Sequence, residues 1–294
     1  MRVKYSFSSR RTRNLENIRK QREKYPSIAK NILAVSDIIL EVLDARFVSE
    51  TRNLAIEKEI KERGKRIIYV LNKSDLISLP KLRRLSKELT PNVAVSCKLR
   101  KGIKELRDKI KIEARKVEKK EMKFIKGQEI KKSEGEQISV GVIGYPNTGK
   151  SSLINSLIGK KSAGTAAEAG FTKGIQKLRL TSDIILLDSP GVIPESEYSG
   201  INKEAIAKHT KVGGRSYTQV KDPENVVAEL MKEFPGIFEE FYNIEAKGDS
   251  EVLLEELGRQ KGILKKEGKV NEDQTARVIL KDWQEGRIPL REEN

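Results

Sequence analysis

The sequence predicts an α/β chain: a mostly parallel sheet with flanking helices, followed by a small C-terminal helical domain. Three observations carry this. Short apolar runs near 37–43, 66–71 and 92–95 alternate with helical stretches near 52–63, 81–89 and 102–118, the alternation of a parallel sheet. A further apolar strand, Ile138-Ser139-Val140-Gly141-Val142-Ile143, runs into a glycine-bearing loop and then a helix over 151–158 with Leu153, Ile154, Leu157 and Ile158 on one side. From about residue 201 the periodicity turns helical, with helices expected at 201–210, 223–234 and 271–286.

Residues 1–36 read as a basic helical arm, with Asn14 a candidate cap and Pro26 a break. The first strand follows as Asp37-Ile38-Ile39-Leu40-Glu41-Val42-Leu43 and ends in Asp44-Ala45-Arg46. The second strand, Lys65 to Leu71, ends in Asn72-Lys73-Ser74-Asp75. A carboxylate at Asp75 accepts from guanine N1–H and the exocyclic amine together, a donor pair that adenine lacks. Asn72 braces such a loop and meets the base edge, and the Lys73 stem covers the ring. The plainer alternative for these four residues is a polar strand-to-helix loop. The third strand ends in Ser96-Cys97-Lys98, the form of a small-residue loop whose backbone amides back the base. Cys97 has no histidine near it in sequence to act as its base, which argues against a nucleophilic role.

Residues 119–137, with few large apolar side chains, read as a linker. Next comes Gly144-Tyr145-Pro146-Asn147-Thr148-Gly149-Lys150-Ser151, a G-x-x-x-x-G-K-S phosphate loop. Its glycines allow a tight wrap, the backbone amides through Thr148, Gly149 and Ser152 face the phosphates, Lys150 reaches the β/γ-phosphates, and the Ser151 hydroxyl ligates Mg²⁺. A hairpin near 175–188 brings Asp188 to a strand end, followed by Ser189-Pro190-Gly191. There Asp188 holds Mg²⁺ through water and the Gly191 amide senses the γ-phosphate. Thr172, in Ala169-Gly170-Phe171-Thr172-Lys173-Gly174, is the candidate switch threonine closing on Mg²⁺, with Thr165 as the alternative. The stretch 192–200 reads as a flexible switch segment.

The 294 residues, 37% apolar, suit one large domain and one small one. No apolar run approaches membrane-spanning length and no signal core follows Met1, so a cytoplasmic protein is expected, as a monomer. The single cysteine excludes an internal disulfide. Charge is uneven. Of the net +16, residues 1–30 carry +8 and residues 98–132 carry +9, the pattern of an RNA-backbone footprint. With Glu105, Glu113 and Glu118 interleaved, the second stretch also reads as a solvated helix face; the arm Arg10-Arg11-Thr12-Arg13 has no compensating acids and favours RNA. Trp283 reads as a core residue.

The guanine signature precedes the phosphate loop, the reverse of the usual order. Guanine motif, Ser-Cys-Lys, phosphate loop, switch threonine and Asp-x-x-Gly, opened by Asp44-Ala45-Arg46, together resemble the circularly permuted GTPases of the YlqF/YawG-like ribosome-assembly family over roughly residues 10 to 290. Cys97, Ala169 and Val48 depart from that pattern without removing a candidate ligand. The resemblance implies a GTPase domain over 37–200 and a helical RNA-binding domain over 201–294. It also implies GTP/GDP and Mg²⁺ as ligands and the large ribosomal subunit, through rRNA, as partner. Val192 stands where a water-orienting glutamine is common, so slow intrinsic hydrolysis is expected. Asn147 sits where cation-activated GTPases hold K⁺. The only histidine is His209, so the arm supplies no catalytic histidine. A non-catalytic RNA-binding module with GTP as a structural ligand is the alternative.

Overall fold

The computed structural model describes residues 30–124, 137–159, 176–188, 211–212 and 217–290. Six strands form one sheet: β1 (Ile38–Asp44), β2 (Arg66–Asn72), β3 (Asn92–Ala94), β4 (Ile138–Gly144), β5 (Gln176–Arg179) and β6 (Ile184–Asp188). Their order is β3-β2-β1-β4-β6-β5, parallel throughout except for the antiparallel β5–β6 edge. This is the expected sheet, with the expected hairpin as its outer edge.

Strand alternation sorts the apolar side chains onto two faces. Ile38, Leu40 and Val42 pack with Leu106 and Ile110 of helix α3 (Ile103–Phe124) and with Leu153 and Leu157 of helix α4 (Lys150–Ile158). Ile39 and Leu43 face the opposite way. There Ile32 and Leu33 of the helical segment 30–35, Ile60 of helix α1 (Leu54–Glu62) and Leu85 of helix α2 (Leu79–Glu88) cover the sheet. Helix α3 continues to Phe124, so residues 119–124 of the stretch read as linker are helical. Residues 125–136, the arm through residue 29 and the expected helix over 201–210 lie outside the described residues.

Register decides where the functional ends meet. Asp44 pairs with Asn72, Val42 with Gly144, and Val142 with Asp188, so four strands finish along one edge. The chain runs outward from β1 through β2 to β3, then restarts on the other side of β1 with β4. The order therefore reverses between β1 and β4, where parallel sheets open a crevice for ligands.

Beyond the sheet, helices α5 (Pro223–Glu233), α6 (Ile237–Tyr242), α7 (Ser250–Gln260) and α8 (Glu272–Gln284) surround a second core. Trp283 lies at its centre, fully buried and in ring contact with Phe47, Phe234 and Phe238. Two sheet-domain residues, Phe47 and Tyr145, belong to this core, which welds the helical layer onto the strand ends.

One residue breaks the apolar rule of β1. Glu41 is 1% exposed; its Oε1 accepts from the Asn53 amide at 3.0 Å, and among the described residues its Oε2 has no hydrogen-bond partner. Neighbouring Glu57 already accepts from Arg52 Nε at 2.8 Å and from the Tyr69 hydroxyl at 2.8 Å. Burial, reinforced by the Glu57 charge, pushes the Glu41 carboxyl up to about 8. The native state thus keeps a proton that the unfolded chain releases near 4.5. That contribution is full below about pH 4.5 and is lost as pH rises through 8. Glu41→Gln is expected to flatten the decline in stability over this window and to gain on the order of 2 kcal/mol relative to wild type at pH 8.5. Urea unfolding at pH 5 and pH 8.5 measures it; parallel curves for both proteins would refute a neutral Glu41.

Candidate functional site

The glycine-bearing loop starts where β4 ends. Gly144 has φ 152°, and a Cβ there would stand 2.5 Å from the Val42 carbonyl oxygen, so only glycine lets the loop leave the sheet this close to β1. Asn147 has φ 58° and Gly149 φ 96°, a left-handed path that turns successive amides to one side before α4 begins at Lys150. Inside the loop, the buried Thr148 hydroxyl donates to the Tyr145 carbonyl at 2.9 Å and sets the curvature. The first-turn amides of α4, with Ser151 and Ser152 exposed beside them, form an anion-binding terminus.

Asn72 ties this loop to the two base-side loops. Its Nδ2 donates to the Thr148 carbonyl at 2.7 Å, and its Oδ1 accepts from the Cys97 amide at 3.4 Å. One side chain at the end of β2 therefore spaces the phosphate loop, the Asn-Lys-Ser-Asp segment and the Ser-Cys-Lys segment. A Cβ on Gly149 would lie 2.2 Å from Asn72 Nδ2. Gly149→Ala is thus expected to break the Asn72–Thr148 bond and to weaken nucleotide binding about tenfold or more, with the fold retained. Equilibrium dialysis with GDP alongside a circular-dichroism melt checks this; unchanged affinity would remove the role given to Asn72.

The other candidates fall around the same crevice. Lys73 stands in the left-handed region at φ 60° and its Nζ pairs with Asp44 at 2.8 Å, leaving its stem along the loop. Asp75 is exposed on the turn Ser74–Leu76. Ser96 is buried, with its hydroxyl accepting from the Leu99 amide at 3.1 Å, and Lys98 is exposed beyond it. Burial pushes the half-buried Cys97 thiol up, so it stays protonated and unreactive.

Lys150 is 6% exposed and its Nζ donates to the carbonyls of Gly144 at 3.0 Å and Tyr145 at 2.9 Å. Burial brings its pKa down to about 8, against an upward pull from Asp188. A buried cation whose hydrogen bonds among the described residues go to carbonyls is poised for an anion arriving over the loop. Asp188 closes β6 beside β4, and with the Ser151 hydroxyl it offers the hard oxygen donors that suit Mg²⁺. Among the described residues no group of three or more His, Cys, Asp or Glu forms a metal site, so Mg²⁺ here would depend on phosphate oxygens and water as well. Thr172, Gly191 and Val192 lie outside the described residues.

Sequence reasoning overlooked Tyr145. It occupies the second position of the phosphate loop, yet it is 2% exposed and packs into the helical-domain core. An aromatic residue in a loop otherwise built of small and polar residues was the available signal. The buried Asp44–Arg46 pair is a second case, signalled by two charges closing an apolar strand.

Fold and site together define a circularly permuted P-loop nucleotide-binding domain carrying a helical domain. Residues 139–247 match the family described as 50S ribosome-binding GTPase. The chain is 36% identical over 262 residues to a GTP-binding protein of Methanocaldococcus jannaschii, covering 89% of this chain and 65% of that one. It is 32% identical over 299 residues to the guanine nucleotide-binding protein-like NSN1 of Arabidopsis thaliana, covering 93% and 49%. To nucleolar GTP-binding protein 2 of Pneumocystis carinii it is 34% identical over 268 residues, covering 86% and 50%. The chain thus spans half to two thirds of the length of these relatives. Among solved structures, GNP-bound YlqF from T. maritima superposes with a TM-score of 0.59 at 22% identity, covering 90% of this chain and 94% of that one. Over most of its length the chain is thus similar to GTP-binding proteins, and it shares the circularly permuted fold of YlqF.

Proposed function

We propose that this protein binds and hydrolyses GTP as a switch in large ribosomal subunit assembly, engaging rRNA through its basic surface. The observation that carries the reading is the convergence at one strand edge of the phosphate loop, Lys150, Asp188 and the base-side loops, with Asn72 bonded to two of them. The names of the relatives, nucleolar and ribosome-binding among them, support the ribosomal part. In this reading Asp75 and the Ser96–Lys98 backbone select guanine, Lys73 flanks the ring, and Lys150 leaves its carbonyls to neutralise phosphate charge. Ser151 and Asp188 would hold Mg²⁺, which would supply neutralisation of phosphate charge. Thr172 and Gly191 complete the γ-phosphate sensor, and a K⁺ near Asn147 adds a further cation. Val192 neither orients water nor moves a proton, so the particle stimulates a slow basal rate.

The exposed cations Lys98, Arg100, Lys101 and Lys104 lead from the base-side loop onto α3 and supply part of the RNA surface. No helix among the described residues is long and apolar enough to cross a membrane, and the cytoplasm is the proposed site of action. Co-sedimentation with purified large subunits tests the switch. Retention with a non-hydrolysable GTP analogue and release with GDP is expected. Equal retention with both nucleotides, or none with either, contradicts it.

A further inference from the structure

The buried charge cluster at the end of β1 joins the base-side loop to the helical domain. Asp44 is fully buried and receives two partners: Arg46, through Nε at 3.0 Å and Nη2 at 2.9 Å, and Lys73 Nζ at 2.8 Å. Burial alone would raise its carboxyl, but the two cations outweigh it and hold it down at about 2. Arg46 has one further donor, Nη1, which meets the Trp283 carbonyl at 3.0 Å, in the last turn of α8, where that carbonyl also accepts from the Gly286 amide at 3.1 Å. The guanidinium also lies over the Phe47 ring at 5.0 Å and the Trp283 ring at 5.9 Å.

A second contact runs alongside. Gly286, just past α8 with φ 69°, presses on Leu76, and a Cβ there would stand 2.3 Å from Leu76 Cδ1. Leu76 is the last residue of the turn that carries Asp75. On the phosphate side, Tyr145 is buried in the helical-domain core. Trp283 itself is locked from behind, its Nε1 donating to the Lys211 carbonyl at 2.9 Å. Both ends of the nucleotide crevice therefore rest on α8 and its neighbours.

We infer that Arg46 is a positioning residue for base recognition, holding Lys73 through Asp44 while anchoring the base-side loop to the helical domain at Trp283. Guanine binding and the seating of the helical domain are then reciprocally linked, so each strengthens the other. This inference rests on the guanine reading proposed above. A lysine at position 46 keeps the charge but lacks the planar fork that meets Asp44 twice and Trp283 at once.

Trp283 is the chain's single tryptophan, so its fluorescence reads the helical-domain side of the joint directly. Titration of GDP and IDP, which lacks the 2-amine, into wild type, Arg46→Lys and Gly286→Ala tests the link. Wild type is expected to show a Trp283 emission change on GDP saturation. Arg46→Lys is expected to bind GDP about tenfold more weakly, to narrow the GDP/IDP ratio, and to lose most of that emission change at saturation. Gly286→Ala, which leaves Arg46 intact, is expected to weaken GDP in the same direction. Wild-type affinity, ratio and emission change in both variants would overturn the inference. Absence of GDP binding by wild type would instead overturn the guanine reading, which separates the two failures.

Discussion

Replacing Lys150 by alanine is expected to lower GTP affinity roughly 30-fold or more while leaving the nucleotide-free protein no less stable. The first half follows from charge. Truncating one partner of a desolvated charge pair costs about 2–5 kcal/mol, or roughly 30- to several-thousand-fold in affinity. The second half follows from what Lys150 does without nucleotide. Its Nζ is buried against two carbonyls, and its pKa is brought down from 10.5 to about 8. That shift corresponds to roughly 3 kcal/mol of desolvation cost, against about 1 kcal/mol for each carbonyl bond lost on truncation. Burial of the cation therefore costs more than its carbonyl bonds return, and Lys150→Met, which keeps the stem, should melt at or above the wild-type temperature. Fluorescent-GTP titration and thermal unfolding measure the two halves. Wild-type affinity in the alanine variant would remove the phosphate role, and a large loss of stability would make Lys150 a structural residue.

Exchange of Asp75 for asparagine is expected to invert base preference. In the proposed reading the carboxylate accepts from both N1–H and the 2-amine of guanine, two charge-assisted bonds worth about 1.5–3 kcal/mol each. Asparagine offers one acceptor and one amide donor, so it clashes with the 2-amine but meets the 2-oxo group of xanthine. GTP affinity should fall roughly a hundredfold or more, and XTP should become the tighter ligand. Asp75 is exposed and lies on a short turn, so the substitution leaves the core untouched. Competition of GTP and XTP for the variant gives the answer. An unchanged preference for GTP would return Asn72 to Asp75 to the status of a polar loop.

Much of this architecture was legible because its signals are local. Apolar strands that end in aspartate, asparagine and glycine marked β1, β2 and β4, and the spacing from Gly144 to Ser151 announced the turn into α4. The Asn72–Asp75 segment could be read for the same reason: its chemistry lies within four consecutive residues. Contacts across the chain were not readable. The bond from Asn72 to Thr148 spans 76 positions, and that from Arg46 to Trp283 spans 237. Helix α6 escaped notice because it is six residues long, with left-handed residues Gly236 and Asn243 at its two ends. Glu41 was hidden by its neighbours, since one acid in an apolar strand leaves periodicity unchanged and only burial reveals its protonation.

GTP turnover, with and without purified large ribosomal subunits and in KCl and in NaCl, separates a working switch from an inert binding module. A GTP switch with Val192 after its Asp-x-x-Gly motif should turn over slowly alone and accelerate strongly on the subunit, and a cation held at Asn147 should make turnover faster in K⁺ than in Na⁺. Tight GTP binding with no turnover under any of these conditions would contradict the switch and leave an RNA-binding module in which GTP is only a structural ligand.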